Sequence, residues 1–276
     1  MSGPRQVTLA RLHELGIEPD TRLGQHFLID DNVVRVALRL ADLAPDDVAL
    51  EVGPGLGVLT APLADAVAHV HAIELDRRLE PALTATLGGR TNVTLLFDDA
   101  LDVALEQLDP PPTAFVSNLP YNIATPLIAE SLARLPSVTR WSVMVQREAA
   151  DRLLASPGPG AYGAVSVLVQ LACAPTGRHA VSRRVFAPPP RVDSALVGLR
   201  RRPPGPTDAP AFAEIARVVH AAFAHRRKTL ANALQLAGFE AGAVQRALTA
   251  LALPANIRAE RLEPTQFVEL ARSLAG

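Results

Sequence analysis

A chain of 276 residues that is 49% apolar and 20% charged is long enough for one large or two modest folded domains, which excludes a disordered or fibrous polymer. Its one cysteine, Cys173, excludes an intramolecular disulfide and a cysteine-built metal site; no metal is expected, and a reducing cytoplasm is. The net charge of −1 hides an asymmetry: residues 1–177 carry 12 Arg against 21 Asp and Glu (−9), while residues 178–276 carry 14 Arg and one Lys against 7 (+8), which points to a polyanionic partner for the C-terminal third.

The first six residues hold no apolar signal-peptide core. No later segment stays apolar and uncharged for the roughly 18 residues a membrane helix needs. Residues 1–20 read as a helical extension, with Leu9, Leu12, His13, Leu15 and Gly16 at about helical spacing. Leu23-Gly24-Gln25-His26-Phe27-Leu28-Ile29 follows. Asp30 or Asp31 then caps a helix whose apolar face is Val33, Val34, Ala37, Leu38 and Leu40.

Val48-Ala49-Leu50-Glu51-Val52 is a short strand that runs into Gly53-Pro54-Gly55-Leu56-Gly57, after which Val58-Leu59-Thr60 opens a helix. Strand, glycine-rich turn and helix make a nucleotide-binding βα unit. The spacing is G-x-G-x-G, and Pro54 removes a donor. Both features count against a pyrophosphate-bearing dinucleotide and suit S-adenosylmethionine. A second strand, 69–73, ends in Glu74, placed to accept from ribose hydroxyls; a third, 93–97, ends in Asp98-Asp99, where a carboxylate can take an adenine amino group. Either acid alone is more often a solvated strand end. Together they mark successive ends along one sheet edge.

The fourth strand, Thr113-Ala114-Phe115-Val116, leads into Ser117-Asn118-Leu119-Pro120-Tyr121. Asn118 supplies an amide oxygen. Leu119 precedes a proline and is biased to extended backbone, so the carbonyls of Leu119 and Pro120 can serve as further acceptors. Tyr121 supplies a ring on which a base stacks, worth roughly 1–3 kcal/mol. Two acceptors beside a flat ring suit the exocyclic amino group of adenine; the same residues also make an ordinary strand end, proline turn and rim tyrosine.

Residues 141–145 are a fifth strand, and Gln146-Arg147-Glu148 start a helix through Leu154. Residues 156–163 are a loop by composition. Val165–Leu171 and Ala195–Leu199 read as the last two strands. Between them, residues 183–194 hold a proline run that cannot join a sheet interior; flanked by Arg183, Arg184 and Arg191, it reads as a rigid loop presenting the Phe186 ring. Residues 203–206 read as a linker between a catalytic domain, 1–202, and a helical C-terminal domain, 207–276. In the latter, His225-Arg226-Arg227-Lys228 stands at a helix start, where cations oppose the helix dipole unless phosphate meets them.

Gln25-His26-Phe27-Leu28, Glu51 to Gly57, Asn118-Leu119-Pro120-Tyr121-Asn122, Phe186 to Ser194 and His225 to Lys228 occur together, in order, from about residue 20 to the C-terminus. In this the chain resembles the bacterial small-subunit (16S) rRNA adenine N6,N6-dimethyltransferases, the kasugamycin-sensitivity family. The resemblance implies an α/β fold of class I S-adenosylmethionine-dependent methyltransferase type: a Rossmann-like, seven-stranded, mostly parallel sheet with a small all-α C-terminal domain. It implies S-adenosyl-L-methionine as cofactor, held by His26, Leu28, Gly53, Gly55, Glu74, Asp99 and Asn118. It implies dimethylation at N6 of two adjacent adenosines in the 3′-terminal hairpin of 16S rRNA, by a cytoplasmic monomer acting on the immature 30S subunit. Catalysis falls to Asn118, Leu119 and Pro120 as acceptors for N6, with Tyr121 and Phe186 holding the base. Arg183, Arg184, Arg191, Arg226, Arg227 and Lys228 would meet RNA. The family usually has Asn where this chain has His26. The alternatives are a large-subunit rRNA adenine methyltransferase of the antibiotic-resistance type and a non-catalytic assembly factor.

Overall fold

The computed structural model describes residues 10, 12–14, 16–20, 23–203, 211–225 and 227–275. The chain divides into two compact units, residues 1–150 with 175–201 and residues 151–174 with 202–276.

The first unit begins with a two-residue strand, β1 (Phe27–Leu28). Helix α1 (Asp31–Ala41) follows, and the Asp30 carboxylate accepts from the N–H groups of Asn32 and Val33 to cap it. Then come β2 (Val48–Val52), α2 (Thr60–Ala66), β3 (His69–Glu74), α3 (Glu80–Leu87), β4 (Val93–Phe97), β5 (Ala114–Asn118), α4 (Ala124–Arg134) and β6 (Arg140–Gln146). The sheet is completed by β7 (Cys173–Val181) and β9 (Ser194–Arg201), while β8 (Phe186–Ala187) pairs antiparallel with β1. The seven strands lie in the order β4-β3-β2-β5-β6-β9-β7. Pairings from β4 through β6 are parallel, and β6 meets β9 antiparallel.

The strands read as apolar runs because helices cover both faces. Leu50, Val70, Phe115, Val143 and Trp141 are buried to 0% exposure. Each such side chain contributes roughly 1.5–3 kcal/mol by burial. Trp141 satisfies its indole N–H on Ser131 Oγ at 2.9 Å.

The order in which successive strands are added reverses between β2 and β5, the topological switch point where open α/β sheets bind ligands. The β2–β5 ladder spans Ala49↔Ala114 and Leu50↔Phe115. Past it the Ser117 hydroxyl takes over, donating to Val52 O at 2.6 Å and accepting from Val52 N at 3.3 Å. A side chain thus closes the backbone account where the strands begin to part.

The second unit is helical: α6 (Ala164–Ala172), α7 (Phe212–Phe223), α8 (Leu230–Leu236), α9 (Ala241–Ala250) and α10 (Pro264–Ala275). Helix α5 (Arg147–Leu153) runs across the division. Tyr162 donates to Leu262 O at 3.0 Å and sets its ring edge-on to Phe223, which stacks on Phe267. Ser166 Oγ donates to Arg152 O at 2.5 Å.

Three readings of the sequence are corrected here. Residues 165–171 are not a strand but the core of α6, started by Gly163 with Ser166 closing its first turn. A short apolar run does not distinguish a buried strand from a buried helix. The missing strand is β7, whose Pro175, Gly177 and exposed polar residues suit a sheet edge and carry little strand signal. Residues 151–174 pack with the C-terminal helices, so the compact units do not follow a boundary at 202; the 203–206 linker lies, apart from Pro203, outside the described residues.

Candidate active site at the sheet switch point

A cleft of about 1090 Å³, open solvent included, lies at the C-terminal ends of β2, β3, β4 and β5. It brings together His26, Leu28, Gly53, Gly55, Glu74, Asp99, Asn118, Leu119, Pro120 and Tyr121.

On one wall the glycine turn has φ of +74° at Gly53 and +61° at Gly55, a region that disfavours side chains. A Cβ on Gly53 would stand 3.2 Å from Pro120 Cγ, and one on Gly55 would stand 3.1 Å from the Phe27 ring. Three N–H groups of this turn are spent internally. Gly53 N donates to Ile73 O, Gly55 N to Glu74 Oε2 at 3.0 Å, and Gly57 N to Pro54 O; Pro54 has none. A pyrophosphate would find no ring of free donors here, which argues against a dinucleotide.

Glu74 is 6% exposed. Its second oxygen accepts from Asp76 N at 2.9 Å, so two backbone donors aim the carboxylate while each oxygen keeps a lone pair. Burial raises its pKa, and those two hydrogen bonds act against the rise. Asp76 is held low, first by the Arg78 guanidinium, and accepts from Gln25 Nε2 at 2.7 Å. Asp99 is half-buried; Oδ1 accepts from Leu101 N at 2.9 Å, leaving Oδ2 for a ligand.

On the other wall, Asn118 ends β5. Its amide N donates to His26 O at 3.4 Å, and its Oδ1 has no partner among the described residues. Leu119 is anchored through its N–H to Met144 O, while its carbonyl likewise accepts from no described residue. The Pro120 carbonyl already accepts from Ile123 N at 3.2 Å. Asn118 Oδ1 and Leu119 O are thus without a described partner, while the Pro120 carbonyl keeps one lone pair. Tyr121 is fixed by Ser194 Oγ at 2.7 Å and lies 5.7 Å from the His26 ring, tilted by 30°. Burial holds its phenol above the usual range. The His26 Nδ1 sits 2.8 Å from Pro188 O; a carbonyl can only accept, so Nδ1 carries the proton.

Phe186 does not join this wall. It is 0% exposed, pairs with Leu28 across the β1–β8 ladder and packs in the core under the sheet, so its ring is not a stacking surface for a base. The aromatic beside Tyr121 is His26. Ser194 and Gln25 were legible only as parts of motifs, since a hydroxyl or amide signals nothing until its partner is in place. Glu51, 1% exposed on the cleft wall, showed itself as a strand residue and not as a charge.

Of the basic residues, Arg183 and Arg184 sit exposed on a turn capped by Ser182, and Arg191 is exposed nearby, its carbonyl accepting from Arg183. Arg227 and Lys228 are exposed; Arg226 lies outside the described residues. The arginines at 200–202 have structural duties. Arg200 pairs with Asp42, Arg201 caps three carbonyls beneath Trp141, and Arg202 binds Cys173 O. His225, Arg227 and Lys228 lie after α7 ends at Phe223 and before α8, whose cap is Thr229, so these described residues of the basic run are in a turn and not at a helix start.

Residues 18–275 match the family described as ribosomal RNA adenine dimethylase. The chain belongs to that family. It is 44% identical over 263 residues to a protein of Thermobifida fusca named ribosomal RNA small subunit methyltransferase A, covering 94% of this chain and 91% of that one. A dimethyladenosine transferase from Plasmodium falciparum has the same fold, with a TM-score of 0.68 at 24% identity over 89% of this chain and 96% of the other. The 23S rRNA methyltransferase ErmE superposes with a TM-score of 0.64 at 28% identity, covering 91% of this chain and all of that one. As an rRNA adenine dimethylase, the chain is a class I methyltransferase that depends on S-adenosylmethionine. Among the described residues no helix is long and apolar enough to cross a membrane.

The residues present fit that cofactor. Gly53 and Gly55 keep the turn free of a Cβ at two positions, two carboxylates stand at successive strand ends, and the walls carry acids but, among the described residues, no Lys or Arg. Such a cleft suits a cationic adenosine better than an anionic one.

Proposed function

We propose that this dimethylase methylates N6 of two adjacent adenosines in the 3′-terminal hairpin of small-subunit rRNA, working as a monomer on the immature subunit in the cytoplasm. The observation that carries the reading is the pair of unpartnered acceptors, Asn118 Oδ1 and Leu119 O, beside the Tyr121 ring. The relatives' naming supports the small subunit over the large one.

S-adenosylmethionine, held by the Gly53–Gly55 turn, Glu74 and Asp99 with Leu28 and His26 on the rim, supplies an electrophilic methyl group. Asn118 Oδ1 and Leu119 O accept the two N6 hydrogens. That contact favours a pyramidal nitrogen, because it draws the lone pair out of the ring. Tyr121, locked by Ser194, holds the base flat. The methylated nitrogen is acidic enough to release its proton to water. Positioning of this kind can lower a barrier by several kcal/mol. The base must leave its stack to enter, and Arg183, Arg184, Arg191, Arg227 and Lys228 would hold the phosphates around it.

The test is methyl transfer onto undermethylated 30S particles, with 50S particles and naked rRNA as controls, followed by mapping of the methylated positions. Transfer to 50S particles in preference to 30S would move the assignment to the large subunit. No transfer to any of them would favour the assembly-factor reading.

A further inference from the structure

The end of the sheet opposite the cleft holds a second hollow, of about 520 Å³ with open solvent included, inside the first unit. Its walls are Arg140 at the start of β6, Arg200 near the end of β9, Thr176 on the edge strand β7, and Arg39 with Asp42 at the end of α1. Arg140 and Arg200 stand directly opposite each other in the antiparallel ladder, so both side chains leave the same face of the sheet. Helix α1 lies on that face, since Ser142, two residues on from Arg140, donates to Ala37 O at 2.8 Å. Two glycines let the parts close up: a Cβ on Gly177 would stand 2.7 Å from Leu40 Cδ2, and one on Gly198 would stand 2.5 Å from Thr176 Oγ1. Like charges directly opposite in a ladder destabilise it, and no described residue bridges these two. Arg140 pairs with Asp47, whose carboxylate also accepts from Ala44 N and Thr113 Oγ1, while Arg200 pairs with Asp42. The Arg140 Nε is buried and has no hydrogen-bond partner among the described residues. The exposed Arg39 guanidinium and the exposed Thr176 hydroxyl likewise meet no described partner.

We propose that this hollow binds a phosphate group, free in solution or carried by the backbone of RNA. A tetrahedral oxyanion offers several acceptor oxygens at once, and idle donors wait here on three different elements: Arg140 Nε, the Arg39 guanidinium and the Thr176 hydroxyl. It would also supply negative charge beside the opposed Arg140 and Arg200. The carboxylates at hand do not fill that place. Asp47 already accepts from three donors. The Asp42–Arg200 pair is exposed on both sides, so salt screens it and Arg200 can exchange partners at little loss. Asp42 and the negative end of α1 act against an anion, which keeps the expected affinity modest, but three guanidiniums face one carboxylate in the lining. The hollow shares no residue with the cofactor cleft or with the basic residues assigned above to RNA.

Calorimetry with sodium phosphate, at ionic strength held constant with sodium chloride, measures the site in the whole protein. We expect saturable binding that weakens about tenfold or more in Arg39→Gln, as loss of a charge-assisted hydrogen bond implies, and less in Thr176→Val. Both positions are exposed, and S-adenosylmethionine affinity near wild type shows that each variant is folded. Replacing Arg227 and Lys228 with Ala should leave phosphate affinity unchanged. Binding to 30S particles at several salt concentrations identifies the source. If the phosphate belongs to RNA, Arg39→Gln flattens the dependence of log K on log salt by about 0.7–0.9. If the phosphate is free, that slope stays as in wild type and only the calorimetry responds. Equal phosphate affinity in wild type and Arg39→Gln would overturn the proposal. So would loss of phosphate binding in the Arg227 and Lys228 variant in place of Arg39→Gln, or the absence of phosphate binding by the wild-type protein together with an unchanged salt slope in Arg39→Gln.

Discussion

The two walls of the cleft are built on opposite terms. On the cofactor wall most polar groups already have a protein partner: Gly53, Gly55 and Gly57 donate inward, and Glu74 is held by two backbone N–H groups, with Asp99 Oδ2 free of a described partner. On the base wall Asn118 Oδ1 and Leu119 O are idle, and their surroundings are half exposed. The cofactor wall is shaped by the bonds that also hold the turn together, so it exists before any ligand comes. In the function proposed above, the base wall keeps its lone pairs for a nucleotide that visits and leaves. Glu51 breaks the pattern, being buried like its neighbours and unpartnered like the far wall.

That exception gives the largest expected effect. A carboxyl whose folded pKa lies above its unfolded one binds more protons in the folded state, so stability falls as pH rises between the two values. For Glu51 the window runs from 4.5 to about 8. Relative to wild type, Glu51→Gln should gain stability through that window, by as much as about 4 kcal/mol, and gain no more above it. Urea unfolding at pH 5, 7 and 9 measures this; a difference independent of pH would mean that Glu51 is not held neutral.

On the base wall, Asn118→Ala should reduce kcat on 30S particles by about a hundredfold or more, as loss of one placed polar partner does elsewhere. Wild-type kcat would remove the acceptor mechanism. Tyr121→Ala should lower both capture of the base and turnover, the stack being worth roughly 1–3 kcal/mol.

On the cofactor wall, Glu74→Ala should weaken S-adenosylmethionine binding by about 1–3 kcal/mol, because ribose hydroxyls lose their acceptor and Gly55 N and Asp76 N lose theirs. Calorimetry on the folded variant decides it. The contrast between the walls sharpens if Glu74→Ala acts on affinity and Asn118→Ala on turnover.

The smallest effect lies away from both walls. Replacing Arg227 and Lys228 with Ala should leave cofactor affinity near wild type. It should flatten the dependence of log K on log salt for 30S binding by about 0.7–0.9 for each phosphate no longer neutralised. An unchanged slope would return these residues to an ordinary solvated turn.

The βα unit, the successive acids Glu74 and Asp99, and the Asn118–Tyr121 stretch were legible in the sequence because each rests on local rules. Glycine is needed where φ is positive, carboxylates end strands, and a proline sets the backbone before it. The helical character of 164–172 was not legible: a short, mostly apolar run satisfies a buried strand and a buried helix alike, and only packing within the second unit separates them. Nor was the burial of Phe186, since a proline-rich flank looks exposed until β8 pairs with β1 across about 160 residues of chain. That Ile123 reaches back to the Pro120 carbonyl while the Leu119 carbonyl accepts from no described residue was likewise not legible, because it depends on the turn that follows β5. Glu51 is the sharpest case. Its place in the glycine motif came from sequence alone, but its charge did not, because a carboxyl's ionisation is decided by the solvent and partners around it, and those exist only once β2, β3 and α2 have closed over it.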